Sequence, residues 1–473
     1  MHKKIKNKKL FLGLVIWYCV FWAWSLQTDS LELAGSKLQG FILTIFVTTL
    51  NVLLSTLVMY KGLVFVREYI VKHQTNLKLT LVFPLMAFVD YLVALIPATV
   101  WIGPQGRLGS LLPIGSPTVL LINSPIKYAS RLVGFFGLAG LFWGLLILLS
   151  IKGKKRHTLV STAAVIVLAL AGQIAYSEIN GTTIKTKIIS ESLSSRAAQI
   201  KVEDVNLVIF PEYGLDRINN SNLNSRIERT DKLQPKTYFV GTEQLFVKDE
   251  IGHLNTIDYG NTYDGITNKK DKYRLIPGGE DLPYAVRVLL RATGQTKTLD
   301  YFSLTKGTLK GANKVEPFTL DDNTVVGATP CSSILAPQDY RYLVNKGATI
   351  LTNSASLSIF KGSRLFSWEQ KSFAKFMAVA NSRYFLQSAN SATAYAIDNN
   401  GKTIAEFEGN KGVVVEVKNN TKKTLYTMFS DWLVVVGWTT VFIIIVTKLY
   451  KSRKRLLEHQ LKIHHKINKP KKR

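Results

Sequence analysis

By hydrophobic and polar positions alone, the chain divides into three parts. Five long apolar runs come first: Leu10–Leu26, Leu38–Tyr60, Leu79–Trp101, Arg131–Ile151 and Thr158–Tyr176. A mixed stretch runs from Ser177 to Asp431, and a sixth apolar run, Trp432–Lys448, follows it. A helix needs ~20 mostly apolar residues to cross a bilayer, so each run is expected to be a transmembrane helix. The first follows a basic start and so resembles a signal-peptide core. No small-x-small cleavage site follows it and more runs come later, so a retained anchor is expected.

Inside the mixed stretch the period changes. Short runs rich in Val, Ile and Tyr recur at Asn206–Phe210, Thr237–Gly241, Thr324–Ala328, Ala348–Thr352, Tyr384–Ser388, Thr393–Ile397 and Gly412–Val417. Bounded by Gly, Asn, Asp or Pro, they read as strands. Ser367–Ser382 has helical spacing instead, with Phe373, Phe376, Met377 and Val379 on one face. The expected organisation is a helical membrane domain over 1–176, an α/β domain over 177–431, a last span over 432–448 and a basic tail over 449–473.

Charge orients this arrangement. The formal net charge is +28 over 473 residues, with 47% hydrophobic residues. Lys and Arg gather at Lys3–Lys9, Lys61–Lys78, Lys152–Arg156 and from Lys451 onward, whereas Gln27–Lys37 carries Asp29 and Glu32. With six spans every basic segment falls on one side and the 177–431 domain on the other. The positive-inside rule then puts that domain outside the cytoplasm and both termini inside. Charge placed beside spans in this way argues against nucleic acid as the partner. The tail, with Leu456, Leu457, Leu461 and Ile463, is expected to meet anionic headgroups as a short interfacial helix.

Two features of the membrane part stand out. Asp90 lies inside the third run between Pro84 and Pro97. An ionisable group there faces protein or a wet cavity, so it either ties helices together or touches substrate. The Gly- and Pro-rich connection Ile102–Lys127 is expected to be a re-entrant or interfacial loop, or else an irregular linker.

The cysteines, Cys19 and Cys331, form no disulfide framework. His253 is the only histidine in the 177–431 domain, and no cluster there has metal-ligand spacing, so neither a metal nor any other cofactor is expected. Three groups remain. Glu212 sits in Asn206–Leu215, Lys272 in Asp271–Glu280, and Cys331 ends Val325–Cys331, each beside a strand-like run. A carboxylate can take a thiol proton, and an ammonium can stabilise the oxyanion formed when the thiolate adds to a carbonyl. Singly, each also fits a bland role: a solvated loop acid, a surface lysine, an inert buried thiol.

In this order the three segments resemble the nitrilase superfamily, most closely the membrane-embedded apolipoprotein N-acyltransferases. The matching pieces are Phe210-Pro211-Glu212 and Lys272 five residues before the proline of Pro277-Gly278-Gly279-Glu280. Cys331 after a strand, Thr352-Asn353, Arg383–Ile397 and Thr424–Leu433 add to them. The resemblance covers essentially the whole chain; its motifs are individually weak and their order is specific. It implies that the α/β domain is an extracytoplasmic nitrilase-like αββα sandwich with Glu212, Lys272 and Cys331 catalytic. Glu280 would support Lys272 or line the site, and Asn353 would hold backbone nearby. It further implies acyl transfer from a phospholipid donor, through a cysteine thioester, to a diacylated lipoprotein acceptor by a monomer in the cell membrane.

The chain departs from the family pattern in two places. Ser332 and Ser333 stand where an aromatic residue and a glutamate usually follow the cysteine, and five runs rather than seven precede the α/β domain. Two other functions fit the same residues: a membrane-tethered amidase in which water resolves the thioester, and a non-catalytic envelope protein that kept the fold. Leu357, Ile359 and Phe360 are expected to pack in the core rather than dip toward lipid.

Overall fold

The computed structural model describes residues 2–27, 37–72, 79–102, 111–151, 155–191, 200–202, 205–215, 227–229, 236–246, 253–272, 274–275, 280, 282–306, 308–309, 316–320, 324–360 and 362–467. Six of its helices are long and apolar enough to cross a membrane. They include α1 (His2–Trp22), α2 (Lys37–Lys72) and α3 (Val82–Pro97), before the short α4 (Thr118–Leu121). Next come α5 (Ser130–Ser150) and α6 (Lys155–Tyr176). Large apolar side chains stand exposed along them, such as Leu159, Val167 and Ile174. A water-soluble surface does not carry so much apolar area, whereas a bilayer accepts it.

The connection after α3 turns back into the helices. Residues 103–110, with four of its Gly and Pro positions, lie outside the described residues, but 111–119 are buried. Ser116 Oγ donates to Asp90 Oδ2 at 2.7 Å and Trp17 Nε1 donates to the Gly115 carbonyl at 2.7 Å. Trp143 Nε1 donates to the other Asp90 oxygen at 3.3 Å. The segment therefore packs back among the helices, and Asp90 ties it to two of them.

Among the described residues the α/β part holds fifteen strands. They are β1 (Thr183–Glu191), β2 (Ile200–Val202), β3 (Leu207–Ile209), β4 (Ile227–Arg229), β5 (Tyr238–Phe246), β6 (His253–Asn261), β7 (Gly265–Asp271) and β8 (Thr308–Leu309). After them come β9 (Phe318–Thr319), β10 (Val325–Pro330), β11 (Ile350–Ser356), β12 (Tyr384–Asn390), β13 (Ala394–Ile397), β14 (Thr403–Phe407) and β15 (Lys411–Lys418). All but β2 and β4 join one sheet, whose main path is β7-β6-β5-β3-β1-β12-β11-β10-β9. Strands β3, β1, β12, β11 and β10 run parallel, so their C-terminal ends share one edge. Strand β15 pairs antiparallel along β1 from Thr183 to Ser190, whereas β12 meets β1 only at Ser190 and Glu191. The sheet thus curls and divides at β1.

Between β7 and β8 lie α7 (Tyr284–Ala292) and α8 (Thr296–Lys306); α9 (Pro337–Asn345) and α10 (Arg364–Asn381) follow β10 and β11. Strands and helix α10 form where the residue pattern predicts them. Strand β1 does not appear among those predicted runs, because TIKTKIISE alternates Ile with Thr and Lys. That alternation is a half-buried strand pattern rather than an apolar run, and its first residues are indeed alternately buried. The segments joining β1 to β3 and β3 to β5 are mostly outside the described residues. Of the αββα arrangement, the described residues show the curled sheet and the α9–α10 helix layer.

Helix α10 is the seam between the two parts. Ser363 caps it by accepting from the Phe366 amide. Its Phe373 and Phe376 pack on Phe135 of α5, with centroids 5.6 and 4.9 Å apart. Trp24, just past α1, packs on Phe366 at 4.8 Å. Leu357 and Phe360 are buried here, as core packing predicts; the Ile359 side chain lies outside the described residues. Arg131 of α5 is fully buried and donates to the Val379, Gly172 and Asn399 carbonyls, to Ser177 Oγ and to Asn400 Oδ1. Five acceptors satisfy the fork of a guanidinium that burial would otherwise penalise.

A second contact comes from α7. Val286 and Leu290 bury against Leu43, Val47 and Val100 on the apolar helices. After the sheet come α11 (Leu425–Phe429) and α12 (Trp432–Ile467). The last helix does not stop at Lys448. It continues to Ile467, 36 residues or about 54 Å at 1.5 Å per residue, so Leu456, Leu457, Leu461 and Ile463 belong to the same helix.

Candidate active site

Glu212, Lys272 and Cys331 all stand at or beyond strand ends, and the curl of the sheet brings them together. Glu212 follows β3 in a Pro211–Gly214 turn; its amide donates to the Ala355 carbonyl at 3.3 Å. Its own carbonyl accepts from Asn390 Nδ2 at 2.5 Å, and the Tyr213 amide donates to Thr242 Oγ1 at 2.7 Å. Lys272 leaves β7 with its amide on the Asn255 carbonyl at 2.6 Å. Cys331 follows β10 and opens the 3-10 turn Cys331–Leu335.

The backbone is strained at two of these places. Cys331 has φ 39° and Tyr213 has φ 61°, a left-handed region that non-glycine residues enter at a cost of ~1–3 kcal/mol. Asn353 of β11 holds the cysteine end. Its Nδ2 donates to the Thr329 carbonyl at 3.0 Å, Thr329 Oγ1 at 3.3 Å and the Cys331 carbonyl at 3.3 Å. Asn353 thus ties the end of β10 to the Cys331 backbone.

The side chains form one closed cluster. Lys272 Nζ donates to Glu212 Oε1 at 3.2 Å and to Glu280 Oε1 at 2.7 Å. The Cys331 thiol donates to the Ser356 carbonyl at 3.4 Å, and Cys331 and Glu212 are close enough to shift each other's proton affinity. Exposure is 2% for Glu212, 1% for Lys272, 5% for Cys331 and 7% for Glu280. Glu280 is thus a partner of Lys272 and not a turn residue in solvent. The Pro277-Gly278-Gly279 part of its motif lies outside the described residues.

Burial sets the proton affinities. It pushes the Glu212 carboxyl up, with the Lys272 ammonium pulling it down and Glu280 pushing it further up. Burial opposes the Lys272 charge, yet Glu212 and Glu280 outweigh it and hold the ammonium well above the ordinary lysine range. Burial and then Glu212 push the Cys331 thiol well above the usual thiol value, against Lys272. The resting site therefore favours a neutral Cys331 thiol beside a charged Lys272 ammonium.

Sequence reasoning missed Asn255, Asn390 and Ser356. Asn255 Nδ2 donates to Glu280 Oε1, so one residue fixes both Lys272, through its backbone, and the partner of Lys272. An asparagine within or ending a strand carries no local signal, since its task is defined by a neighbour on another strand. Ser332 Oγ is buried without a partner among the described residues.

No family model matches the chain, and no curated protein matches it in sequence. The solved structures that align with it include members of the carbon–nitrogen hydrolase, or nitrilase, superfamily at low identity. A carbon-nitrogen hydrolase from Helicobacter pylori aligns with TM-score 0.35 and 12% identity, over 50% of this chain and 89% of that one. Nit3 of Saccharomyces cerevisiae, of branch 10 of the nitrilase superfamily, aligns with TM-score 0.35 and 14% identity over 50% and 90%. A mutant amidase from Nesterenkonia sp. AN1 aligns with TM-score 0.33 and 10% identity over 54% and 94%.

Proposed function

We propose that the chain is a membrane N-acyltransferase that carries an acyl group on Cys331. The observation supporting this most is that a buried glutamate, lysine and cysteine converge in a domain packed on six apolar helices. In the first step Glu212 takes the Cys331 proton and the thiolate adds to the sn-1 ester carbonyl of a phospholipid. Lys272 stabilises the oxyanion, with Glu280 keeping it charged and in place. Collapse expels the lysophospholipid alkoxide, which recovers the proton from Glu212 and leaves a thioester. In the second step the α-amine of a diacylglyceryl-cysteine adds to the thioester and gives a proton to Glu212. The thiolate then leaves and is reprotonated, and the acyl chain ends as an amide.

A thiol held neutral at rest suits this cycle, because it is less open to oxidation and alkylation than a standing thiolate. In this reading the α/β domain lies outside the cytoplasm, both termini lie inside, and the chain acts as a monomer. The test is intact mass spectrometry after incubation with a phospholipid of defined acyl chains. One acyl mass on the wild type, removed by hydroxylamine and missing from Cys331→Ala, is expected. Failure to acylate, even with reactive acyl esters, would sink the proposal. A diacylated lipopeptide then separates transfer from hydrolysis: amide product is expected, and release of free fatty acid alone would make the chain an amidase.

A further inference from the structure

The division of the sheet at β1 opens a cavity of about 730 Å³, within the ~300–1,000 Å³ of ligand sites. Its walls come from the end of β1 (Ser190, Glu191), the turn after β12 (Ser391–Thr393), Leu357 and Phe360, and the start of α10. Two wall residues directly follow residues that touch the reactive cluster. Leu357 follows Ser356, the acceptor for the Cys331 thiol, and Ser391 follows Asn390, the donor to the Glu212 carbonyl. On the rim, Trp368 packs against Phe21 of α1 at 6.4 Å. The cavity therefore lies between the reactive cluster and the end of an apolar helix.

Its chemistry is that of a neutral hydrogen-bonding ligand. Gln370 lines it with only 1% exposure, and among the described residues its Nε2 has no acceptor. A buried amide donor left unpaired is destabilising, and a ligand carbonyl would relieve that cost. The Asn390 Oδ1 next to the wall is likewise buried without a donor. A main-chain amide offers one group of each kind. Phosphate fits poorly: Glu191, Glu406 and Glu408 outnumber Arg364 and Lys371, and Lys371 is already paired with Glu406 at 2.6 Å.

We infer that this cavity binds the main chain of the acceptor polypeptide just after its modified N-terminal residue. The inference rests on the acyl-transfer reading for the identity of that polypeptide, and on Gln370 and the cavity for its location. The amine would then reach Cys331 from the β12 side while the acceptor's lipid stays beside α1.

The test measures binding to full-length protein in detergent, by anisotropy, of a dipalmitoylglyceryl-cysteine pentapeptide with a neutral sequence and a fluorophore at its C-terminus. Gln370→Leu removes the unpaired donor, and Ser367→Phe fills the cavity from the partly exposed first turn of α10. Both are expected to weaken binding about ten-fold, with little change for the same labelled lipid lacking the peptide. Equal binding of the peptide by wild type and both folded variants would overturn the inference. So would no wild-type binding, or displacement of the peptide by glycerophosphate. Acylation of wild-type Cys331 is scored separately. A protein that binds the peptide through Gln370 but never acylates would keep this site and lose the acyltransferase reading.

Discussion

Lys272 Nζ donates to Glu212 Oε1 at 3.2 Å, although the two residues stand 60 positions apart. The same ammonium reaches Glu280 at 2.7 Å, so one buried cation offsets two buried carboxylates. Its worth to the fold is chiefly what its loss would leave behind.

Removing the cation and removing one anion should therefore differ. Lys272→Met strands two carboxylates in a site 2–7% exposed and is expected to destabilise the α/β domain by about 3–5 kcal/mol. Glu212→Gln keeps the Lys272–Glu280 pair and is expected to change stability by only ~1 kcal/mol while abolishing acylation. Thermal unfolding of both variants in one detergent checks the contrast; equal melting shifts would contradict it.

The Cys331 thiol should titrate above an ordinary cysteine, whose pKa is ~8.5. Alkylation by iodoacetamide, followed by mass, is expected to rise with a midpoint above that value. Glu212 raises the thiol pKa, so Glu212→Gln should move the midpoint down. A midpoint at or below the ordinary value in the wild type would show that the site stores a thiolate instead.

Glu369 gives a separate pH signature. It sits 1% exposed at the seam, accepts from Trp24 Nε1 at 3.2 Å, and burial raises its carboxyl to about 8. A folded-state value above the unfolded one means that the folded state holds the proton more tightly. The resulting stability is complete below an ordinary carboxyl pKa of ~4.3 and fades as pH rises through about 8. Melting temperature should fall between those limits in the wild type and stay flatter in Glu369→Gln. Parallel pH profiles would refute the assignment.

Gly134 should tolerate no side chain. It breaks α5 with φ 78° and ψ −166°, and an added Cβ would run into Asp431 Oδ1, which accepts from the Phe136 amide at 2.8 Å. Gly134→Ala is expected to lose at least ~1–3 kcal/mol from the backbone conformation alone. Gly13→Ala, with open space around its Cβ, serves as the tolerant control. Yield of folded protein after size-exclusion chromatography compares them.

The apolar runs were legible because twenty consecutive apolar residues permit few alternatives to a buried or bilayer-crossing helix. The seven predicted strands and helix α10 were legible for a similar reason, since periodicity is a local property. The residue types of the candidate site, and their places beside strands, were also present in the chain. Local pattern did not reveal β1, whose lysines break up its apolar residues, nor α7, whose short apolar face makes sense only against Leu43 and Val47. Nor did it show that the helix of the last apolar run continues past Lys448, where solvated lysines and leucines extend it. Convergence was a matter for tertiary structure alone. Glu212, Lys272 and Cys331 meet because a curled sheet brings the ends of β3, β7 and β10 to one place, and Asn255, Glu280 and Asn390 acquire their roles only from that meeting.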